Sequence, residues 1–279
     1  MIRDVLEAMS EIDPNIDRVD HLVNVYSEDV LAKTDFLAKK YESREGKESG
    51  WNMFVNPLLG DNLQKTIFGG NGFLPESSFA DPNSFIPVSS QYNSYNDVRK
   101  CIKFLSAGPR QNIFYDPRKV KAVIITCGGL CPGLNVVIRE LVMTLHYSYE
   151  VKEVYGIKWG YKGIYTDIEK NWIKLTPQNV ARIHKEGGTI LGSSRGNVGP
   201  DVYLDALVAQ GVNQVYCIGG DGTHRGIYAL AKRAVERGIV ISFAGVPKTI
   251  DNDIPLIDYS FGFNSSVEVA VKMVQASYA

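Results

Sequence analysis

The sequence predicts an α/β fold, a parallel sheet with helices on both faces, concentrated in residues 119–279. Two observations carry this expectation. Short apolar runs alternate with amphipathic stretches through that region, which is the pattern of repeated βαβ units. Gly-rich or polar loops also follow three of the apolar runs, after Thr126, Ile218 and Val246. Right-handed crossovers place helices on both faces of such a sheet, and ligands collect at the carboxyl ends of its strands.

The elements follow in order. Val120–Thr126 (VKAVIIT) is a continuous apolar run of the kind a buried parallel strand needs. After CGGLCPG, residues Leu134–Tyr147 predict a helix with Val137, Leu141 and Leu145 on its inner stripe. Val151–Ile157 is the next strand. Thr176-Pro177, an N-cap followed by Pro at N1, opens a helix that runs to Gly187-Gly188. Pro200–Gln210 is a helix closed by Gly211, Asn213–Ile218 a strand, Thr223–Arg237 a helix closed by Gly238, and Ile239–Val246 a strand. The chain ends in a predicted helix, Ser265–Ala279. Residues 1–118 are irregular by comparison. Ser27–Tyr41 reads as a helix with acidic residues at its start, 42–50 as a polar linker, and 67–98 as loop-like.

Bulk properties narrow the function classes. Apolar residues make up 44% of the 279, enough for a sizeable core, and the net charge is −1. That balance provides no electrostatic footprint for nucleic acid or an anionic membrane. No stretch of 18 apolar residues exists to span a bilayer, and the acidic start MIRDVLEAMSEID lacks a signal-peptide core, so a cytoplasmic protein is expected. Cys127 and Cys131 could form a metal half-site, but no second Cys or His pair at ligand spacing completes it.

Four segments carry candidate chemistry. GGLCPGLN (128–135) joins a strand to a helix, where glycines let amides approach a phosphate; it is equally a plain tight turn, and it lacks the Lys of a Walker loop. GGDGTHRG (219–226) places Asp221 at a strand end, able to hold a hard cation, with Gly220 and Gly222 leaving room for a polyphosphate. Thr223 there is expected both to cap the helix and to bond a phosphate oxygen. PKTIDNDI (247–254) offers Asp251 and Asp253 as candidate proton acceptors beside Lys248, although Asn and Asp also serve plain turns. GGTILGSSRG (187–196) presents Arg195 as a phosphate donor, or is a flexible loop with an exposed Arg.

In order and spacing these segments resemble the ATP-dependent 6-phosphofructokinases, specifically their plant-type branch. The likeness spans ITCGGLCPGLNVVIRELV (125–142), GGTILGSSRG, GVNQVYCIGGDGTHRG (211–226) and GVPKTIDNDIPLIDYSFGFNSSVEVA (245–270), with AGPRQNIFYDP (107–117) ahead of them. NAD and lipid kinases share a GGDGT loop but lack PKTIDND. The resemblance implies transfer of a phosphoryl group from ATP to the C1 hydroxyl of fructose 6-phosphate in glycolysis, with Mg2+, by an allosteric homo-oligomer. Position by position it implies ATP contacts at Gly129, Arg195, Gly196, Gly220, Asp221, Gly222 and Thr223, with Asp221 as the magnesium partner. Thr249, Ile250 and Asp251 resemble the sugar-phosphate contacts, Asp251 the proton acceptor, and Lys248 and Asp253 supporting residues.

Gly222 favours ATP, because pyrophosphate-using relatives place an Asp there that would repel the α-phosphate. Lys248 is shared with the pyrophosphate enzymes, which keeps that donor as an alternative. The resemblance also implies a second lobe with a Met-Gly-Arg segment, absent from these 279 residues. The expected organisation is therefore an N-terminal extension over 1–106, partly helical and loop-rich, and an incomplete nucleotide-binding α/β domain over 107–279. Apolar surface should be exposed on the last helix, and a non-catalytic nucleotide-binding module is the alternative to an enzyme.

Overall fold

The computed structural model describes residues 54–55, 85–87, 103–105, 109, 112–194, 196, 198–252 and 259–278. The expected Ser27–Tyr41 helix and the 42–50 linker lie outside them, as do Cys101, Arg195 and Asp253. The chain divides into two compact units, Met1–Asn62 with Phe73–Phe114, and Leu63–Gly72 with Tyr115–Ala279. In the first, Phe54–Val55 pairs antiparallel with Asn112–Ile113. Phe85–Pro87 pairs in the same sense with Lys103–Leu105, so the stretch read as loop-like contains a short strand.

The second unit holds a five-stranded sheet built from β1 (Lys121–Thr126), β2 (Glu153–Ile157), β3 (Trp172–Lys174), β4 (Gln214–Gly219) and β5 (Ser242–Pro247). Their spatial order is β3-β2-β1-β4-β5. β1 lies at the centre, parallel to β2 and β4, and β5 is parallel to β4. Only β3 departs from the expected parallel arrangement: Tyr155 pairs with Lys174 and Ile157 with Trp172 in antiparallel register. The link from β2 is two short helical turns, Lys162–Tyr165 and Ile168–Asn171, which return the chain reversed at the sheet edge. The Asn171 amide closes that return by donating to the Thr166 carbonyl at 2.8 Å.

Strand alternation sends β1 side chains into two separate cores. Val123 and Ile125 join Leu204, Leu207, Ile227 and Leu230 on one face. Ala122 and Ile124 join Leu134, Ile138, Val142 and Val180 on the other. Helices α1 (Leu134–Met143), α2 (Pro200–Ala209), α3 (Asp221–Glu236) and α4 (Phe263–Tyr278) are the long ones. α1 covers the second core and α2 and α3 the first. Burial on both faces explains why β1 is an unbroken apolar run rather than an alternating one.

Local boundaries shift in informative ways. The helix expected over Leu134–Tyr147 is α-helical only to Met143, and a π turn, Thr144–Ser148, completes it. Of the expected stripe Leu145 is buried and Val137 and Leu141 are half-buried, while the deepest residues, Leu134, Ile138 and Val142, lie one position away. The single helix expected from Thr176 is instead Pro177–Val180, held by a Thr176–Asn179 capping box, followed by a separate 3-10 turn, Ile183–Lys185. Gly211 and Gly238 do end α2 and α3, each in the left-handed region at φ +67° and +65°.

α4 has no buried residue, and Val267, Val269, Val271, Met273 and Val274 are all exposed on it, matching the expectation of apolar surface there. Because no described residue buries these side chains, Val269→Lys with Met273→Lys should leave the unfolding midpoint nearly unchanged, a stability change within about 0.5 kcal/mol. The pair should also reduce self-association in sedimentation or light scattering. A large drop in the midpoint would mean that the exposed face is packed in solution.

Candidate functional site

Strand order creates the site. From central β1 the chain crosses to β2 on one side, whereas from β4 it crosses to β5 on the other. The loops after β1 and β4 therefore part, leaving a crevice at the carboxyl ends of adjacent strands. Backbone bonds fix the loops to one another: the Cys127 amide donates to Ile218 at 2.9 Å and the Lys248 amide to Gly219 at 3.0 Å.

Residues 187–194 are anchored across this crevice rather than hanging free. Thr126 Oγ1 donates to the Gly192 carbonyl at 2.6 Å, and the Ser193 hydroxyl donates to the Gly128 carbonyl. Asn135, buried in the first turn of α1, donates to Glu186 O at 3.1 Å and accepts from Ile190 N–H at 2.9 Å. Sequence reasoning gave Thr126 and Asn135 no part. Their signal was a polar residue inside an otherwise buried face, which needs a partner.

A cleft of about 610 Å3 lies between this segment and α3. At one end it is lined by Gly128, Ser194, Gly220, Gly222 and Thr223; at the other by Gly196, Val198, Pro200, Tyr203, Ala229 and Leu230, with Gly196 set against the Tyr203 hydroxyl. Gly222, Gly226 and Leu230 follow one face of α3, so the cleft runs about 12 Å along the helix. α3 begins at Asp221 with Gly220 as its N-cap, two residues earlier than expected. Thr223 is therefore not the cap. Its side chain is buried within the first turn, and a Cβ on Gly219 would meet its Oγ1 at 2.2 Å. The unpaired amides of this turn and the helix dipole favour an anion at that end.

The floor of the cleft is uncharged. Burial pushes the Cys127 thiol up to about 11 and raises the Tyr161 phenol far above its ordinary range. Tyr161 donates to the Thr223 carbonyl at 2.8 Å, bracing the first turn of α3 from below. Expected to be mere packing, Tyr161 both packs and lines the cleft. A cation, Lys248, stands beside the cleft without lining it. Its side chain is buried, forms no ion pair among the described residues, and brings Nζ to 3.8 Å from where a Gly128 Cβ would stand.

Glycines separate into two kinds. At Gly196 an added Cβ would lie 2.0 Å from Tyr203 Oη, and at Gly226 2.8 Å from Tyr161 Oη, so packing alone requires them. At Gly129 and Gly222 an added Cβ would meet nothing within 4 Å. Nothing in the chain's own packing demands glycine there.

Asp221 is exposed at the start of α3, and Asp251 is exposed in the loop after β5. The turn in that loop is made by Asn252, left-handed at φ +54°, whose side chain accepts from Ser260 N–H at 2.6 Å. Ser260 Oγ donates to the Thr249 carbonyl at 2.5 Å, and the Asp251 amide donates to Thr249 Oγ1 at 3.2 Å. The local turn thus uses Asn252, and the Asp251 carboxylate faces solvent beside exposed Ile250. Of the predicted site residues, Gly196, Gly220, Gly222 and Thr223 share the cleft. Gly129, Lys248, Thr249, Ile250 and Asp251 on loops, and Asp221 at the start of α3, stand at the same end of the sheet but do not line it.

A phosphofructokinase family model matches residues 121–278, from the first residue of β1 to the last of α4. The ATP-dependent 6-phosphofructokinase 7 of Arabidopsis thaliana is 47% identical over 184 residues, 66% of this chain and 37% of the relative. ATP-dependent 6-phosphofructokinase 1 of the same plant is 44% identical over 225 residues, 81% of this chain and 45% of the relative. Among solved structures, the phosphofructokinase of Pichia pastoris in the T-state aligns with TM-score 0.50 and 25% identity, covering 67% of this chain and 20% of that one. The chain spans less than half the length of these relatives. With the family match covering every strand and loop of the crevice, the chain belongs to the phosphofructokinase family.

Proposed function

We propose that the chain binds ATP in this cleft and transfers its γ-phosphoryl group to the C1 hydroxyl of fructose 6-phosphate. The observation that carries the reading is the two-ended cleft. Its glycine-rich end offers amides and a helix N-terminus to phosphates, and its apolar end, toward Val198, Pro200 and Leu230, has room for a nucleoside. Pyrophosphate would leave the apolar end unfilled. ATP is also the donor named for the Arabidopsis relatives.

In this reading Gly129, Gly196, Gly220, Gly222, Thr223 and Arg195 contact the nucleotide, and Thr249, Ile250 and Asp251 contact the sugar phosphate. Asp251 takes the proton of the C1 hydroxyl as the oxygen attacks in line, and Lys248 holds negative charge on the phosphates, with Asp253 in support. Among the described residues no three His, Cys, Asp or Glu side chains converge on a metal site. Asp221 fits Mg2+ as a single exposed carboxylate sharing the ion with phosphate oxygens, the usual protein share for this ion. Held by Asp221, Mg2+ would supply positive charge against that of the transferred phosphoryl group. Residues 1–106 are proposed as an N-terminal extension and 107–279 as an incomplete α/β domain. No described helix is long and apolar enough to cross a membrane; a cytoplasmic, allosteric, homo-oligomeric enzyme of glycolysis completes the proposal.

The test is purified chain with ATP, Mg2+ and fructose 6-phosphate, read by calorimetry for binding and by a coupled assay for turnover. ATP binding with turnover supports the enzyme. Binding without turnover supports a nucleotide-binding module. Absence of ATP binding sinks both.

The donor has its own test. Gly222→Asp should fold normally, since a Cβ there meets no atom within 4 Å. A second negative charge a few ångströms from the phosphates should weaken ATP binding by about tenfold. Unchanged ATP affinity would place the polyphosphate elsewhere.

A further inference from the structure

Among the described residues, the apolar end of the cleft holds a buried polar group that makes no hydrogen bond. Tyr203, on α2, is 6% exposed and lines the cleft. Its Oη is buried and has no hydrogen-bond partner among the described residues. The Val198 amide dipole is oriented toward it but falls outside hydrogen-bond geometry. By contrast the neighbouring phenol, Tyr161, is satisfied by the Thr223 carbonyl. Orphaned buried hydroxyls are rare because each forfeits its bonds to water, and one that persists calls for a partner not yet in place.

We propose that Tyr203 Oη is the hydroxyl that recognises the nucleoside portion of the phosphoryl donor. The inference rests on the ATP reading given above and assigns a residue that the motifs do not contain. Its ring is held rigidly, against Tyr161 at 5.5 Å between centroids and edge-on to Tyr165 at 5.6 Å. Its hydroxyl lies against Gly196, where a Cβ would stand 2.0 Å away, so the glycine of the GSSRG segment leaves the phenol its place. The side chains lining this end otherwise come from Val198, Pro200, Ala229 and Leu230, none able to hydrogen-bond. A phenol both donates and accepts, so it suits a ring nitrogen, an exocyclic group or a ribose hydroxyl. An inorganic polyphosphate, seated at the glycine-rich end, gives it nothing to read.

The experiment titrates the 279-residue chain and its Tyr203→Phe variant with ATP and, separately, with tripolyphosphate, and measures both unfolding midpoints. Tyr203→Phe is expected to weaken ATP binding by about five- to tenfold and leave tripolyphosphate binding unchanged. Its midpoint should stay level or rise, because the variant removes an orphaned hydroxyl. Three results overturn the assignment while leaving the ATP reading intact: unchanged ATP affinity in the variant, equal losses for ATP and tripolyphosphate, or a lowered midpoint. The last two mean that Oη supports the loop rather than the ligand. Failure of the parent chain to bind ATP overturns the donor reading and, with it, this one.

Discussion

Replacing Asp251 with Asn should lower the proposed phosphoryl transfer by about 10²- to 10⁴-fold and leave ATP binding intact. The carboxylate is exposed at the end of β5, and among the described residues it makes no salt bridge. An amide of the same shape cannot accept the C1 proton, so the loss falls on the chemical step. The fold should not notice. The loop is shaped by Asn252 and Ser260, and Asp251 contributes only its backbone N–H, donated to Thr249 Oγ1, which Asn keeps. A stability change within about 0.5 kcal/mol is expected. Coupled-assay rates beside calorimetric ATP titrations check both halves. A variant that keeps more than a small part of the parental rate would remove Asp251 from the mechanism. One that loses ATP affinity as well would place it in binding instead.

The sheet could be read from the sequence because its central strands obey a strong constraint. β1 is buried on both faces, so Ala122 to Thr126 had to be apolar or internally bonded, and the run stands out. The crevice followed from the same pattern, since loops at strand ends need only the strands to be placed. β3 was illegible: three half-buried or exposed residues, Trp172–Lys174, carry neither an apolar run nor an alternation. Thr223 was misread as a cap because a Thr after Gly-Asp-Gly satisfies the local rule; the helix instead starts at Asp221, and Thr223 fills the space above Gly219.

Asn135 and Tyr203 stayed hidden for a different reason. Their partners lie far along the chain: Asn135 bridges to Glu186 and Ile190, and Tyr203 meets Gly196 and Tyr161. Residue type and spacing along one segment do not encode such contacts. The roles of individual glycines were likewise undecided in sequence. Packing separates Gly196 and Gly226, which the chain needs for itself, from Gly129 and Gly222, which it does not.

Lys248→Met should weaken ATP binding by about 10- to 100-fold without lowering the unfolding midpoint. Lys248 is 7% exposed, yet no described acidic side chain forms an ion pair with it. A buried ammonium without a partner costs stability, and a thioether of similar length fills the same space at less cost. Among the described residues the fold therefore shows no need of its own for a charge there. What the charge can serve is the glycine-rich loop, because Nζ reaches toward Gly128 at the edge of the cleft. The floor beneath, with Cys127 and Tyr161 held neutral by burial, provides no counter-charge to spend it on. In the proposed reading a ligand phosphate is its partner, and bonds to a charged donor are about twice as strong as neutral ones. Calorimetry with ATP and thermal unfolding of the same preparation separate the two effects. If Lys248→Met lowers the midpoint by several degrees, the ammonium is structural, and the loss of affinity would follow from a damaged loop. If affinity is unchanged, the phosphates do not approach Gly128, and the glycine-rich end of the cleft has been assigned to the wrong part of the ligand.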